Sequence, residues 1–231
     1  MEDVMLTIPG RCWLCHLPLA CPVWGLCSSC TAIFPPPLAV CPQCGLPALS
    51  ERLSCGRCLL QPPPWDTLIY VADYKPPLRR LIHDLKFNGI PALAPALARL
   101  LLLSILHARR ERLLILPSLV LSVPLHHRRV LWRGYNQSAL IAKPLAHWLG
   151  CRYADKAVRR IRAGFTQHQL GAKQRQSNLK GAFRVEIPVA GLHIAIVDDV
   201  VTTGSTVAEI ARLLKKQGAA TVQVWCLCRT L

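Results

Sequence analysis

Two groups of residues in this 231-residue chain have the types and spacing for chemistry. The first is a set of four C-x-x-C units: Cys12/Cys15, Cys27/Cys30, Cys41/Cys44 and Cys55/Cys58. Two intervening residues let both thiolates turn toward one ion, and a tetrahedral zinc site needs a second such pair. Eight thiolates therefore suit two zinc ions. Pairing in chain order is the simplest arrangement, with Cys12, Cys15, Cys27 and Cys30 on one ion and Cys41, Cys44, Cys55 and Cys58 on the other. An interleaved cross-brace, first unit with third and second with fourth, has equal support from the spacing. A closed four-thiolate site leaves no open coordination position, so its role is structural: it folds a segment too small to bury a core of its own. Cys21 and His16 are left over and read as bystanders. A docking surface for protein or nucleic acid is the functional alternative for this module.

The second group is the run Ile194–Thr206. An apolar strand, His193–Val197, ends in Asp198 and Asp199. Val200 follows, and then Thr202, Thr203, Gly204, Ser205 and Thr206 form a turn that opens a helix. The free N–H groups and partial positive charge of a helix start favour an anion. Gly204 admits close backbone approach, and the hydroxyls add donors. Carboxylates beside such a cradle would repel a bare phosphate. They make sense as acceptors for sugar hydroxyls or as metal holders, so a ribose 5-phosphate meets both demands. A lone acid pair would read as solvated side chains at a sheet edge; the full strand–acids–turn–helix order is more specific.

Several elements must position these groups. Leu68–Tyr74 is β-branched and aromatic and reads as a strand. Pro77–Lys86 has apolar residues at helical spacing, ended by Asn88-Gly89. Residues 92–107 read as an apolar helix, Leu113–Val123 as a buried strand, and Asn136–Leu149 as a helix kinked by Pro144. Val207, Ile210, Ala211 and Leu214 lie on one helical face, and Thr221–Leu227 is a further strand. Strands alternating with helices give an α/β fold with a parallel sheet. The triple prolines 35–37 and 62–64 are stiff connectors, and the second marks a boundary near residue 65: a Cys-rich module over 1–65 and an α/β domain over 66–231.

Charge divides the chain the same way. Of 28 Lys and Arg and 12 Asp and Glu, residues 1–70 hold three and four, whereas residues 71–231 hold 25 and eight. So positive a domain favours phosphates, nucleic acid or an anionic membrane surface, although solubility alone is the plainer use of such charge. The hydrophobic share of 52% excludes global disorder. The N-terminus lacks a basic and apolar leader pattern. The apolar runs Leu100–Leu106 and Leu113–Leu125 each fall short of the ~18–20 residues a membrane span needs. A cytoplasmic protein without membrane insertion is expected, where clustered cysteines bind metal rather than pair as disulfides.

Ile194–Thr206 resembles the phosphoribosyl-pyrophosphate (PRPP) signature of type I phosphoribosyltransferases. The resemblance implies that Asp198 and Asp199 hold the ribose hydroxyls, that the loop through Thr206 holds the 5-phosphate, and that Mg²⁺ accompanies the pyrophosphate. With the cysteine units, the stretches Leu85–Gly89, Arg133–Gln137 and Gln174–Phe183 resemble the ComF family, which is linked to competence and DNA utilisation. A type I phosphoribosyltransferase-like sheet preceded by a double zinc ribbon is thereby expected. Transfer would displace pyrophosphate from C1 through an oxocarbenium-like state, so cations are needed near the leaving group. Arg128, Arg129 and Arg133 are candidates, with a solvated basic loop as the equal alternative. The segment 159–180 occupies the place of a closing loop, and Gln167, Arg175 and Asn178 match ComF-type positions there. No residue stands out as a base for an acceptor. Two functional classes follow: a phosphoribosyltransferase, or a PRPP-sensing protein that binds single-stranded DNA or docks through its zinc module. The second domain has few aromatics for stacking bases; Trp132 and Tyr135 lie nearest a basic stretch, and packing under the 128–137 loop is the expected role for both. The resemblance also implies DNA-uptake machinery as a partner.

Overall fold

The computed structural model describes residues 10–37, 39–50, 52–125, 132–161, 179 and 181–230. Five strands form a parallel sheet: β1 Thr67–Asp73, β2 Leu119–Ser122, β3 Arg152–Tyr153, β6 His193–Val201 and β7 Thr221–Arg229. Their order is β1-β7-β6-β2-β3. A separate antiparallel pair joins β4 Val158–Arg160 to β5 Phe183–Val185. Central strands of a parallel sheet are covered on both faces and so read as continuous apolar runs. Ile194, Ala195, Ile196 and Val197 are accordingly all fully buried.

The helices complete a three-layer domain. Helices α3 Leu78–Phe87, α4 Ala94–Arg112 and α5 Gln137–Trp148 pack on the face that carries Ile69, Val71, Val197 and Trp225. Helix α6 Ser205–Lys216 and the β4–β5 pair cover the face that carries Leu68, Ile196, Val222 and Val224. The expected α/β class and its alternation of elements are present.

The ends of several elements differ from their expected positions. Leu113 caps α4 in a left-handed conformation, and Pro117 has no N–H to give a ladder, so the strand expected over Leu113–Val123 is limited to Leu119–Ser122. Helix α4 continues to Arg112, and Arg109, Arg110 and Arg112 complement the dipole of its last turn. Pro144 lies inside α5 without ending it. Strand β6 runs past Val197 to Val201, because β7 goes on pairing with it: Asp198 opposes Cys226 and Val201 opposes Arg229.

The helical stretch Pro91–Arg112 has the length and hydropathy of a membrane span, but half of it is buried in the fold. Leu97, Leu101 and Ile105 are fully buried in the core, each adding about 1.5–3 kcal/mol by burial.

The N-terminal module is an internal repeat. An isolated bridge Arg11–Pro18 brackets the first C-x-x-C turn, and Val40–Pro47 brackets the third. A short helix follows in each copy, α1 Ser28–Ala32 and α2 Gly56–Leu60. The position after each of these two turns is left-handed, filled by His16 at φ 59° in one copy and Gly45 at φ 71° in the other. His16 thus marks a turn position rather than a ligand.

Candidate functional site: an acid pair, a glycine turn and two four-cysteine groups

Because β6 is central and buried, its C-terminal end presents Asp198 and Asp199 at a fixed place. Their surroundings are specific. Ser138 Oγ, in the first turn of α5, donates to Asp198 Oδ1 at 3.1 Å, and the Asp199 amide donates to the same oxygen at 2.9 Å. Asp199 Oδ1 accepts from the Val200 amide at 2.6 Å. Asp199 Oδ2 lies 2.9 Å from Lys86 Nζ, whose side chain is 17% exposed against 6% for Asp199. Burial, and then the neighbouring Asp199 charge, push the Asp198 carboxyl up to about 7 against the opposing pull of Lys86.

The turn after the strand opens α6. Gly204 is the N-cap of α6 at φ 75°, a conformation that favours glycine. Thr202 and Thr203 are exposed, and Ser205 and Thr206 are partly exposed. Thr203 Oγ1 sits 2.8 Å from Ser205 Oγ, so the hydroxyls cluster at the helix start. Below the turn, a Cβ on Gly204 would lie 2.9 Å from the edge of the Trp65 ring. The turn is therefore supported from beneath and open above.

Two of the family-like stretches converge on the acids. Leu85–Gly89 ends α3 and supplies Lys86. The stretch Arg133–Gln137 leads into α5: Tyr135 Oη donates to the Leu85 carbonyl at 2.5 Å, and Asn136 Nδ2 donates to the Val123 carbonyl at 3.0 Å. Asn136 also caps α5, accepting from the Ser138 amide at 3.1 Å. Arg133 donates to Gln137 Oε1 and lies 5.3 Å over the Phe87 ring. Of the candidate cations and loop residues, Arg133 is therefore brought to the end of α3, over Phe87. Arg128, Arg129, Gln167, Arg175 and Asn178 lie outside the described residues. Tyr135 packs as expected. Trp132 does not: it is 71% exposed, with its ring 6.5 Å from Phe87.

Four residues escaped the sequence reading: Lys86, Ser138, Trp65 and Arg229. Lys86 lies inside a stretch already singled out, and Ser138 directly follows one. Trp65 closes a proline run. Arg229 ends an apolar strand and carries no local signal.

The eight cysteines form two groups in chain order, Cys12, Cys15, Cys27 and Cys30, then Cys41, Cys44, Cys55 and Cys58. Within each group the sulfurs lie within 4.8 Å of one another. Sulfurs bound to zinc at about 2.3 Å in a tetrahedron stand about 3.8 Å apart. Cys15 and Cys27 Sγ are 3.7 Å apart, as are Cys44 and Cys55 Sγ. A disulfide needs about 2.05 Å. Backbone amides of Cys27 and Cys55 approach Cys12 and Cys41 Sγ at 3.5 and 3.3 Å, which suits thiolates. Both groups fit a double zinc ribbon, and the cross-brace is not the pairing. Cys226 and Cys228 are fully buried core residues, and burial pushes the Cys228 thiol up to about 12.

Comparison with known proteins agrees with this geometry. Residues 136–231 match the model of the phosphoribosyl transferase domain family. Over 227 residues the chain is 60% identical to DNA utilization protein YhgH of Salmonella typhimurium, covering 98% of this chain and 100% of that one. It is 40% identical over 227 residues to Competence protein F of Haemophilus influenzae, covering 95% and 96%. A 41-residue stretch is 46% identical to a ribose-phosphate pyrophosphokinase of Methanosarcina acetivorans, 18% of this chain and 14% of that one. The chain belongs to the ComF family, that of YhgH and Competence protein F, with a double zinc ribbon ahead of a phosphoribosyl transferase domain.

Proposed function

We propose that the site binds PRPP or a related phosphoribosyl ligand, in a cytoplasmic protein that serves the utilisation or uptake of DNA. The observation that carries the reading is the buried strand end that sets Asp198 and Asp199 against the Gly204 turn. The turn from Thr202 to Thr206 takes the 5-phosphate through amides and hydroxyls. Asp198 and Asp199 accept the ribose hydroxyls. Lys86 offsets one charge of the acid pair, which lowers its repulsion toward an anionic ligand. If Mg²⁺ accompanies the pyrophosphate, Asp198 and Asp199 would help to hold it, and it would supply positive charge to the leaving group. Arg133, over Phe87 at the end of α3, is a candidate cation for a leaving pyrophosphate; Arg128, Arg129, Gln167, Arg175 and Asn178 are further candidates. Residues 1–65 are the zinc-binding module and 66–231 the ligand domain. Phosphoribosyl transfer, with release of pyrophosphate, is the activity such a site would support.

A second reading is favoured by one observation, the exposed Phe87–Trp132 pair beside Arg133. Exposed rings next to cations stack bases, so a sensor that also holds single-stranded DNA would use this face. DNA affinity would then fall steeply with salt. Titration of Mg²⁺–PRPP and of a short DNA strand into Asp198→Asn/Asp199→Asn separates the two ligands. The double variant should lose PRPP and keep DNA; equal loss of both would mean that the acids are structural.

A further inference from the structure

The third C-x-x-C turn is built into the floor of the phosphate loop. Three successive carbonyls of that turn accept from residues at the domain boundary and in the sheet. Pro42 accepts from Thr67 Oγ1 and from the Leu68 amide, both at 2.8 Å. Gln43 accepts from Trp65 Nε1 at 2.6 Å. Cys44 accepts from Arg229 Nε at 3.1 Å. Gly45, the next residue, leaves no room for a side chain: a Cβ there would lie 2.9 Å from Leu68 Cδ2.

Trp65 and Arg229 then reach the loop itself. The Trp65 ring is what a Cβ on Gly204 would strike. Arg229 is 8% exposed, and its Nη1 donates to the carbonyls of Val201, at 3.0 Å, and of Thr202, where the loop leaves β6. One planar guanidinium thus ties Cys44, of the second cysteine group, to the last residue of β6 and the first residue of the turn. A buried arginine held by carbonyls has few alternative arrangements. The first cysteine group docks elsewhere: Gly25 packs on Ala96, and Arg99 Nη1 approaches the Leu26 carbonyl at 3.5 Å, both on α4.

We propose that the second cysteine group, through Arg229 and Trp65 as positioning residues, sets the conformation of the phosphate loop. Metal at Cys41, Cys44, Cys55 and Cys58 then raises the affinity of the loop for its ligand, and metal at the first group does not. The proposal rests on reading that loop as the ligand site. The two groups differ in what their carbonyls hold, so one serves the site and the other serves only the fold of the module.

The test uses the full zinc-loaded chain. Cys58→Ser and Cys30→Ser each remove one ligand from one group. Zinc content, the amide resonances of Gly204 and Ser205, and Mg²⁺–PRPP affinity are then measured. Both variants should fall from two zinc ions to one. Cys58→Ser should shift both resonances and weaken PRPP by about tenfold, a typical coupling between sites. Cys30→Ser should do neither. Equal effects from the two variants, or zinc loss in Cys58→Ser with unmoved resonances, would overturn the proposal. If Cys58→Ser does not fold, Arg229→Lys and Trp65→Leu with both zinc ions retained should weaken PRPP likewise, and unchanged affinity in both would sink it. If the unaltered chain does not bind PRPP, the ligand reading fails on its own, and the Gly204 and Ser205 resonances still report whether the metal site moves the loop.

Discussion

Asp198 and Asp199 sit at the same strand end but in different surroundings. Asp199 faces Lys86, whereas Asp198 faces Ser138 and a backbone amide. Burial raises the Asp198 carboxyl from the ordinary carboxylate range to about 7. A raised acid binds its proton more tightly in the folded chain than in the unfolded one. Stability from this group is therefore complete at acid pH and is lost as pH rises through about 7. Unfolding of Asp198→Asn should lack that downward slope, and equal slopes in variant and parent would contradict the assignment. A ribose hydroxyl donating to the carboxylate favours its ionised form, so PRPP affinity should rise across the same pH range. Replacing Lys86 by Met leaves a buried carboxylate without its cation, a loss of about 3–5 kcal/mol by denaturant unfolding. Lys86 was not evident from the sequence as a partner, because its contact crosses from α3 to β6. The stretch Leu85–Gly89 marked the place without showing the reason.

Elements explain why that contact exists. Helix α3 ends beside β6 because Leu78, Leu81, Ile82 and Leu85 share one buried face. That 3.6-residue pattern was legible, as were β6, α6 and β7, since each is a long apolar run with clear punctuation. The ends of elements were less legible. Strand β6 runs four residues past its apolar core because β7 continues to pair with it, and pairing across strands leaves no mark in the strand itself. Strand β2 is shorter than its apolar run because Pro117 and the left-handed Leu113 precede it. The turn between β6 and α6 carries a prediction at this scale. Gly204→Ala must hold φ 75° and meet Trp65, so it should cost at least about 1–2 kcal/mol and weaken the phosphate ligand. An unchanged melting temperature and affinity would show that the turn is not held as described. Leu101→Ala in α4 is the contrasting case: fully buried and away from the turn, it should cost about 2–5 kcal/mol by unfolding without a selective loss of ligand.

At the scale of the whole molecule, the Cys-rich module straddles the edge of the sheet. Leu26 of the first ribbon joins the core under α4, and Val40 of the second joins the core on the α6 face. The four C-x-x-C units made the module legible, but not its pairing, since spacing serves both arrangements. Packing decides it, through sulfurs 3.7 Å apart in chain-order groups. Metal analysis of the reduced protein should therefore find two zinc ions per chain, and a chelator should unfold the module; protein purified with no metal would contradict this. The excess positive charge of residues 71–231 suits a domain that meets phosphates, whether on a sugar or on a strand.

The measurement that bears most directly on the ligand site is phosphorus NMR of Mg²⁺–PRPP with the zinc-loaded chain, beside Asp198→Asn/Asp199→Asn. The expected result is a shift of the 5-phosphate and pyrophosphate resonances by the parent chain and none by the double variant. Resonances left unperturbed by the parent would mean that the acid pair and the Gly204 turn keep the shape of a phosphoribosyl site without binding its ligand.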